Sequence, residues 1–497
     1  MNGERSRAPL ILLGLLTATQ VGIGAWRAIV LLRDAHAAGV RPLAWSAELG
    51  LDLLTCALLA AIAWWWLPPQ SRRDAAAWGV RFLLLSWLLS LAHYVWALAT
   101  GHLAPQLTWI VFAVLFAAGW WSRRQGAAQE PSPKIPSILP LSSRLAFAVA
   151  AVFFAAQLPH LVFNYSFTDA KVTWACRAFK LAERGSLTGI LDCANPAMAP
   201  LHAITLWLGV RDPTFEGRLL PLLMFGAFVL VFHGLLRRVA PRLAPWGVVW
   251  LLATDHVLKG QVSTYSGVPE MLAIVVALAV AIDERAVAPT RSFALLLAAV
   301  AGALVALLRR DGFPEFLVAA AALVAVTRGW RDTRLWAAIG AACIAYIAWA
   351  ARPDWLQALP AFPPRIGSLG VLYQVAASPT AVQRLRTLLN GAQGQLFSHY
   401  GYGAFVWSWL IVAVWCRWVR LRAPMMSAST LYGVAGLSGW IATLGAYVVL
   451  MLIGHAYMTS LLVVRTGFGR HLVHFFPLCL LHATALAERL ATARGHA

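Results

Sequence analysis

Asp169 stands directly after an apolar run and an aromatic approach made by Phe163, Tyr165 and Phe167. A carboxylate at the boundary of lipid and water loses solvation, which pushes its pKa upward and suits it to accept a proton from a hydroxyl as a general base. Thr168 or Asp169 equally suits the N-cap of the helix that follows, and one residue can fill both roles. Lys171 adds a cation two positions on, among the candidates for binding substrate or phosphate. Farther along, Arg309-Arg310-Asp311-Gly312 interrupts two apolar runs, and guanidinium forks match the geometry of a phosphate. The alternative for these arginines is interfacial anchoring by snorkelling. In Arg465-Thr-Gly-Phe-Gly-Arg470-His471-Leu-Val-His474, glycines precede a helix whose amino end favours an anion. Arg470 with His471 or His474 is therefore the best phosphate candidate, against a plain end-of-helix role. Glu270, after Tyr265-Ser-Gly267, opens another apolar run. It either orients substrate hydroxyls or marks the helix start.

The histidines form no metal signature: His471 and His474 can share a helical face, but no carboxylate motif accompanies them. No cofactor is expected. The chain has no Walker-type loop, dinucleotide glycine fingerprint or nucleophile elbow, which leaves a soluble nucleotide donor and a covalent serine mechanism without support.

The element that must hold Asp169 is the polar stretch 164–200. Its charged residues flank Trp174, Ala175, Ala178, Phe179 and Leu181 at helical spacing, which reads as an amphipathic helix along the membrane surface. Cys176 and Cys193 lie in this stretch, close enough in sequence to close a short loop. In an oxidising compartment their disulfide would stabilise it by roughly 3 kcal/mol; two separate thiols are the alternative. Cys56, Cys343, Cys416 and Cys479 sit in apolar runs, where small buried side chains are expected.

With 60% hydrophobic and 12% charged residues and a mean hydropathy of +0.69, the chain cannot cover its apolar surface with polar groups in water. It reads as an all-α polytopic membrane protein. The formal net charge of +20 would suit nucleic acid, but no basic, aromatic-interleaved soluble domain exists to bind it. The charge falls in short loops, where it sets orientation instead. Apolar runs between residues 9 and 488 give about 13 to 15 spans. An N-terminus in the cytoplasm brings Arg72–Arg73, Arg123–Arg124, the Arg237 to Arg242 cluster, residues 328–334 and residues 417–422 inside together. The run 199–210 is too short to cross comfortably and is read as re-entrant or interfacial. A Pro, Ser and Gln-rich linker at 123–143 separates an N-terminal four-helix unit, 1–122, from the main region, 144–497. The loops 164–200 and 352–399 then lie on the outer face, the second either closing over a site or serving as a disordered connector.

In order, an Asp just past a span (Phe167-Thr168-Asp169-Ala170), a Pro-containing apolar entry (Asn195 to Leu201), a Tyr-Ser-Gly-x-x-acid element (Tyr265 to Glu270), a basic-x-acid-Gly turn (Arg309, Asp311, Gly312) and a late Arg before a helix with proline (Arg470 to Pro477) resemble the GT-C glycosyltransferases that use polyprenyl-phosphate sugars. The likeness runs from about Arg144 to Leu490. It implies a GT-C-like bundle of membrane helices in a bacterial inner membrane, with a periplasmic site. There Asp169 deprotonates a glycan, lipid or protein acceptor, while Arg470 and Arg310 hold the lipid phosphate of the donor. Two departures from the commoner pattern stand out: the four N-terminal spans, and the lack of a second acid beside Asp169, which weakens the case for a carboxylate-held divalent metal and leaves such a metal open but unsupported. The competing classes are a lipid or polysaccharide transporter or flippase, and a glycan polymerase or ligase that uses a lipid diphosphate.

Overall fold

The computed structural model of the chain describes residues 8–39, 47–68, 71–72, 74–124, 141–161, 170–193, 199–208, 219–262, 267–308, 312–327, 329, 331–350, 379–397, 402–418, 427–452 and 469–493. These residues are helical almost throughout; their only β contact is an isolated antiparallel bridge between His102 and Ser186. Among the described residues, six segments are long and apolar enough to cross a membrane: Ile11–Ala37, Ala75–Thr100, Ser142–Leu161, Leu219–Val239, Arg291–Leu308 and Ala428–Val449. Shorter apolar helices pack among them. The protein is thus an all-α membrane protein.

We number the helices in chain order: α1 Ala8–Ala37, α2 Ala47–Trp65, α3 Ala75–Thr100, α4 Leu107–Arg124, α5 Leu141–Ala155, α6 Cys176–Arg184, α7 Leu201–Trp207, α8 Leu219–Val239, α9 Ala244–Leu252, α10 Asp255–Val262, α11 Gly267–Ile282, α12 Glu284–Val287, α13 Arg291–Leu308, α14 Gly312–Thr327, α15 Thr333–Ala350, α16 Pro379–Phe397, α17 Gly403–Trp418, α18 Ala428–Leu452 and α19 Phe476–Thr492. Polar residues punctuate the apolar sequence where helices begin and end. Asp74 caps α3 by accepting from the amides of Ala76 and Ala77, and Gly101 closes it in the left-handed region at φ 75°. Inside the bundle, small residues let backbones approach. Gly302 of α13 faces the Ala338 carbonyl of α15, and Gly79 of α3 faces the Ala227 carbonyl of α8.

Helix pairing sorts the polar groups to two ends. At the first, Arg238 in the last turn of α8 donates to Asp283 after α11 at 2.7 Å. Arg334 of α15 pairs with Glu284 of α12 and with Asp332, and Glu488 of α19 accepts from the amides of Arg242 and Leu243. This is the basic end, where Arg238, Arg242 and Arg334 gather. Because α3 runs antiparallel to α8, with Gly234 packed on Ala76, the carboxyl end of α3 lies at the opposite end. There the Leu103 amide donates to Gly185 O at 2.8 Å and the Leu187 amide to Gly101 O at 3.1 Å. Those bonds tie the stretch that follows Asp169 to the bundle. A disulfide joins Cys176 to Cys193 in it, with Cα atoms 5.9 Å apart, and we call this the disulfide end.

The stretch itself is less regular than one amphipathic helix. A π-helical turn, Ala170–Ala175, leads into α6, and Leu187–Asp192 forms a 3₁₀ helix. Trp174, Ala175, Ala178 and Leu181 are buried as the spacing predicts, but Phe179 is 47% exposed. The buried face instead takes Arg177, whose guanidinium lies 5.6 Å from the centroid of the Trp174 ring. Residues three and four apart share a helix face, so Arg177 falls beside Trp174, Ala178 and Leu181 while Phe179 points away. The short run beginning at 199 gives α7, seven buried residues spanning about 10 Å at 1.5 Å per residue. It ends far short of a ~30 Å hydrocarbon layer.

Candidate functional site

Two helices open with the same six-residue pattern. Gly267-Val-Pro-Glu270-Met-Leu272 begins α11, and Gly312-Phe-Pro-Glu315-Phe-Leu317 begins α14. Proline suits the first turn because the amides there have no partner inside the helix, and a carboxylate in that turn is favoured by the helix dipole. The repeated pattern therefore sets two glutamates at equivalent positions of two helix starts. Both are buried: Glu270 is 0% and Glu315 is 2% exposed.

Between them sits His474, in the turn that leads into α19. Its Nε2 lies 3.1 Å from Glu270 Oε2, and its Nδ1 lies 3.1 Å from Glu315 Oε2. The ring is 0% exposed. One turn earlier, His471 brings Nδ1 to 3.8 Å from Glu315 Oε1, and its ring meets Tyr447 of α18 edge-on at 5.4 Å. Gly312 leaves no room for a side chain, since an added Cβ would overlap the Glu270 carboxylate.

A second polar group adjoins the first through Gly469. Asp255, which opens α10, pairs with Lys259 at 2.8 Å and Arg27 at 3.5 Å. His256 Nε2 lies 2.7 Å from Gln395 Oε1 of α16, and its ring stacks on Tyr402 at 5.2 Å. The Tyr402 hydroxyl donates to Gly469 O at 3.0 Å, and a Cβ on Gly469 would strike His256. Burial holds His256 below the usual imidazole pKa, and the neighbouring Asp255 charge opposes that shift. Arg470 follows at half-burial. At the same end of the bundle, burial lowers the pKa of Arg177 in the disulfide-tied stretch to about 9.

The residues expected to do chemistry divide into three groups. Asp169, Arg309 and Arg310 lie outside the described residues, as does the side chain of Lys171. Arg470, His471, His474 and Glu270 come together at the disulfide end of the bundle. Glu270 and His474 are wholly enclosed and lie against each other, whereas Arg470 and His471 keep part of their surface exposed. Burial explains that contact: a carboxylate and an imidazole taken out of water need partners. Cys176 and Cys193 are bonded to each other. Glu315 was not among the expected residues at all, although the repeated Gly-x-Pro-Glu opening pointed to it. Among the described residues, no group of three or more His, Cys, Asp or Glu side chains is arranged to hold a metal ion.

Fold and site together define an all-α membrane protein in which four helix starts, those of α10, α11, α14 and α19, bring ionisable side chains to the disulfide end. Comparison with protein families, with characterised proteins and with solved structures finds no match to this chain.

Proposed function

We propose that the protein is a polytopic GT-C-type glycosyltransferase of a bacterial inner membrane. In this reading it moves a sugar from a polyprenyl phosphate to a hydroxyl of a glycan, lipid or protein at the outer face. One observation supports it above the others. The amino ends of α10, α11 and α14 and the turn carrying Arg470 and His471 gather at the end of the bundle that also holds the disulfide-tied stretch following Asp169. Helix amino ends and guanidinium groups favour a phosphate, and a disulfide suits an oxidising compartment. The reaction is displacement at the anomeric carbon, with Asp169 taking the acceptor's proton and Arg309, Arg310 and Arg470 stabilising the charge that develops on the departing lipid phosphate. In this reading α16, which touches the site's end through the Gln395–His256 contact, shields the site from water.

The buried Glu270–His474–Glu315 contact favours a second reading, a proton-coupled lipid or glycan carrier, since enclosed ionisable groups in membrane proteins mark ion paths. Its groups sit at helix starts and not along mid-helix, which ranks it below the first. The test is turnover of a labelled polyprenyl-phosphate sugar by the protein in nanodiscs. The glycosyltransferase reading expects transfer by the wild type, and a loss of at least a hundredfold in Asp169→Asn. Absence of transfer from every such donor, with proton-dependent uptake of a lipid-linked glycan in liposomes, selects the carrier.

A further inference from the structure

A neutral imidazole has one N–H and one lone pair, whereas an ionised carboxylate only accepts. His474 meets a carboxylate oxygen at 3.1 Å from each ring nitrogen. With a neutral ring and two ionised glutamates, one of those contacts would set lone pair against lone pair, in a place where water does not screen the repulsion. A single proton removes the conflict in either of two ways. On the ring, it makes an imidazolium that donates from Nδ1 to Glu315 and sets its positive charge 3.1 Å from Glu270; on the Glu270 carboxyl, it removes the charge that faces the bare nitrogen.

We infer that Glu270, His474 and Glu315 form a proton-binding site, loaded from the disulfide end through His471. This rests on the contacts alone and stands whether or not the chain is a glycosyltransferase. The three members are closed to solvent, while the side chain of His471 keeps 13% of its surface exposed. His471 lies 3.8 Å from Glu315 Oε1, and its ring is 5.6 Å from the ring of His474. Loading needs only proton moves. His471 takes a proton from water and passes it from Nδ1 to Glu315 Oε1 after a small torsional approach. Rotation of the Glu315 carboxyl about Cγ–Cδ turns the new O–H toward the bare Nδ1 of His474, which takes the proton, and the resulting imidazolium faces the Glu270 carboxylate through Nε2 at 3.1 Å. His471 is left neutral and able to reload.

The surroundings bear on this assignment. Arg470 belongs to the same turn, Tyr447 faces His471 from α18, and Asp255, His256 and Lys259 stand behind Gly469 on α10. Helix dipoles at the starts of α11 and α14 favour the anionic glutamates, so the proton is held by the geometry of the ring between them. The repeated Gly-x-Pro-Glu opening sets each carboxylate in the first turn of its helix.

The experiment is magnetic resonance on the full chain in nanodiscs at pH 8, with ¹⁵N in the histidine rings and ¹³C in the glutamate carboxyls. The wild type is expected to show one bound proton, either as one histidine protonated on both nitrogens or as one protonated glutamate. That signal is expected to vanish in His474→Gln and to move in Glu315→Gln, a near-isosteric change that answers the question should His474→Gln fail to fold. A wild type holding only neutral histidines and ionised glutamates overturns the proposal, as does a Glu315→Gln spectrum with the signal unmoved. In His471→Ala the signal should exchange with deuterated solvent at least tenfold more slowly; an unchanged rate overturns the loading route.

Discussion

Gly312 opens α14 directly against the Glu270 carboxylate, and the smallest side chain there would overlap it. Gly312→Ala must therefore push Glu270 off His474, at a cost of about 1–3 kcal/mol for overpacking. Gly340 of α15 has no atom within 4 Å of where its Cβ would stand. Gly340→Ala should be neutral or stabilising by roughly 0.5–1 kcal/mol, because a glycine inside a helix loses backbone entropy. Thermal unfolding of both variants in one detergent separates local crowding from a general effect of adding a methyl. His256 offers a pH test at the same scale. Its folded pKa lies below the ordinary value, so the unfolded chain binds more protons between the two values. The contribution is fully present above about pH 6.5 and is lost as pH falls toward the lowered value. The melting temperature should fall between pH 7.5 and 5.5, and fall less in His256→Gln.

Two elements depend on contacts that can be removed one at a time. The Cys176–Cys193 bond closes a loop with a sequence separation of 17, and losing it from the double alanine variant should cost about 3 kcal/mol. Because the stretch is also held by the Leu103–Gly185 and Leu187–Gly101 backbone bonds, the loss should be local. Hydrogen exchange should quicken across 176–193 while α13 and α15 keep their protection. In that pair, Gly302 meets the Ala338 backbone, and Gly302→Leu should drive the helices apart and lower the melting temperature more than Gly340→Leu. Surface pairs such as Arg238–Asp283 should matter far less. Arg238 is 40% exposed, and exposed ion pairs contribute about 0–1 kcal/mol.

For the whole molecule, the sorting of polar groups to two ends makes a topological prediction. Single cysteines at Arg238 and at His102, introduced after the free cysteines are replaced, should react with a membrane-impermeant reagent from opposite sides of sealed vesicles. The positive-inside rule predicts that the Arg238 side reacts from the cytoplasmic face. Labelling of both from one side would break the antiparallel pairing of α3 with α8, and with it the gathering of α10, α11, α14 and Arg470 beside the disulfide.

By itself the sequence determined that this is a helical membrane protein, because apolar content and run length act locally and need no knowledge of neighbours. It also indicated the buried face of α6 through Trp174, Ala178 and Leu181, and the closeness of Cys176 and Cys193. Only the tertiary structure decided who partners whom. No local property of His474 says that it will lie between two glutamates from separate helices, and Arg177 looks like a surface residue until Trp174 and the neighbouring helices enclose it. The Gly-x-Pro-Glu repeat was visible along the chain, yet its meaning was not. A repeated helix opening becomes a site only when packing turns the two starts toward one ring, and packing is a property of the whole bundle.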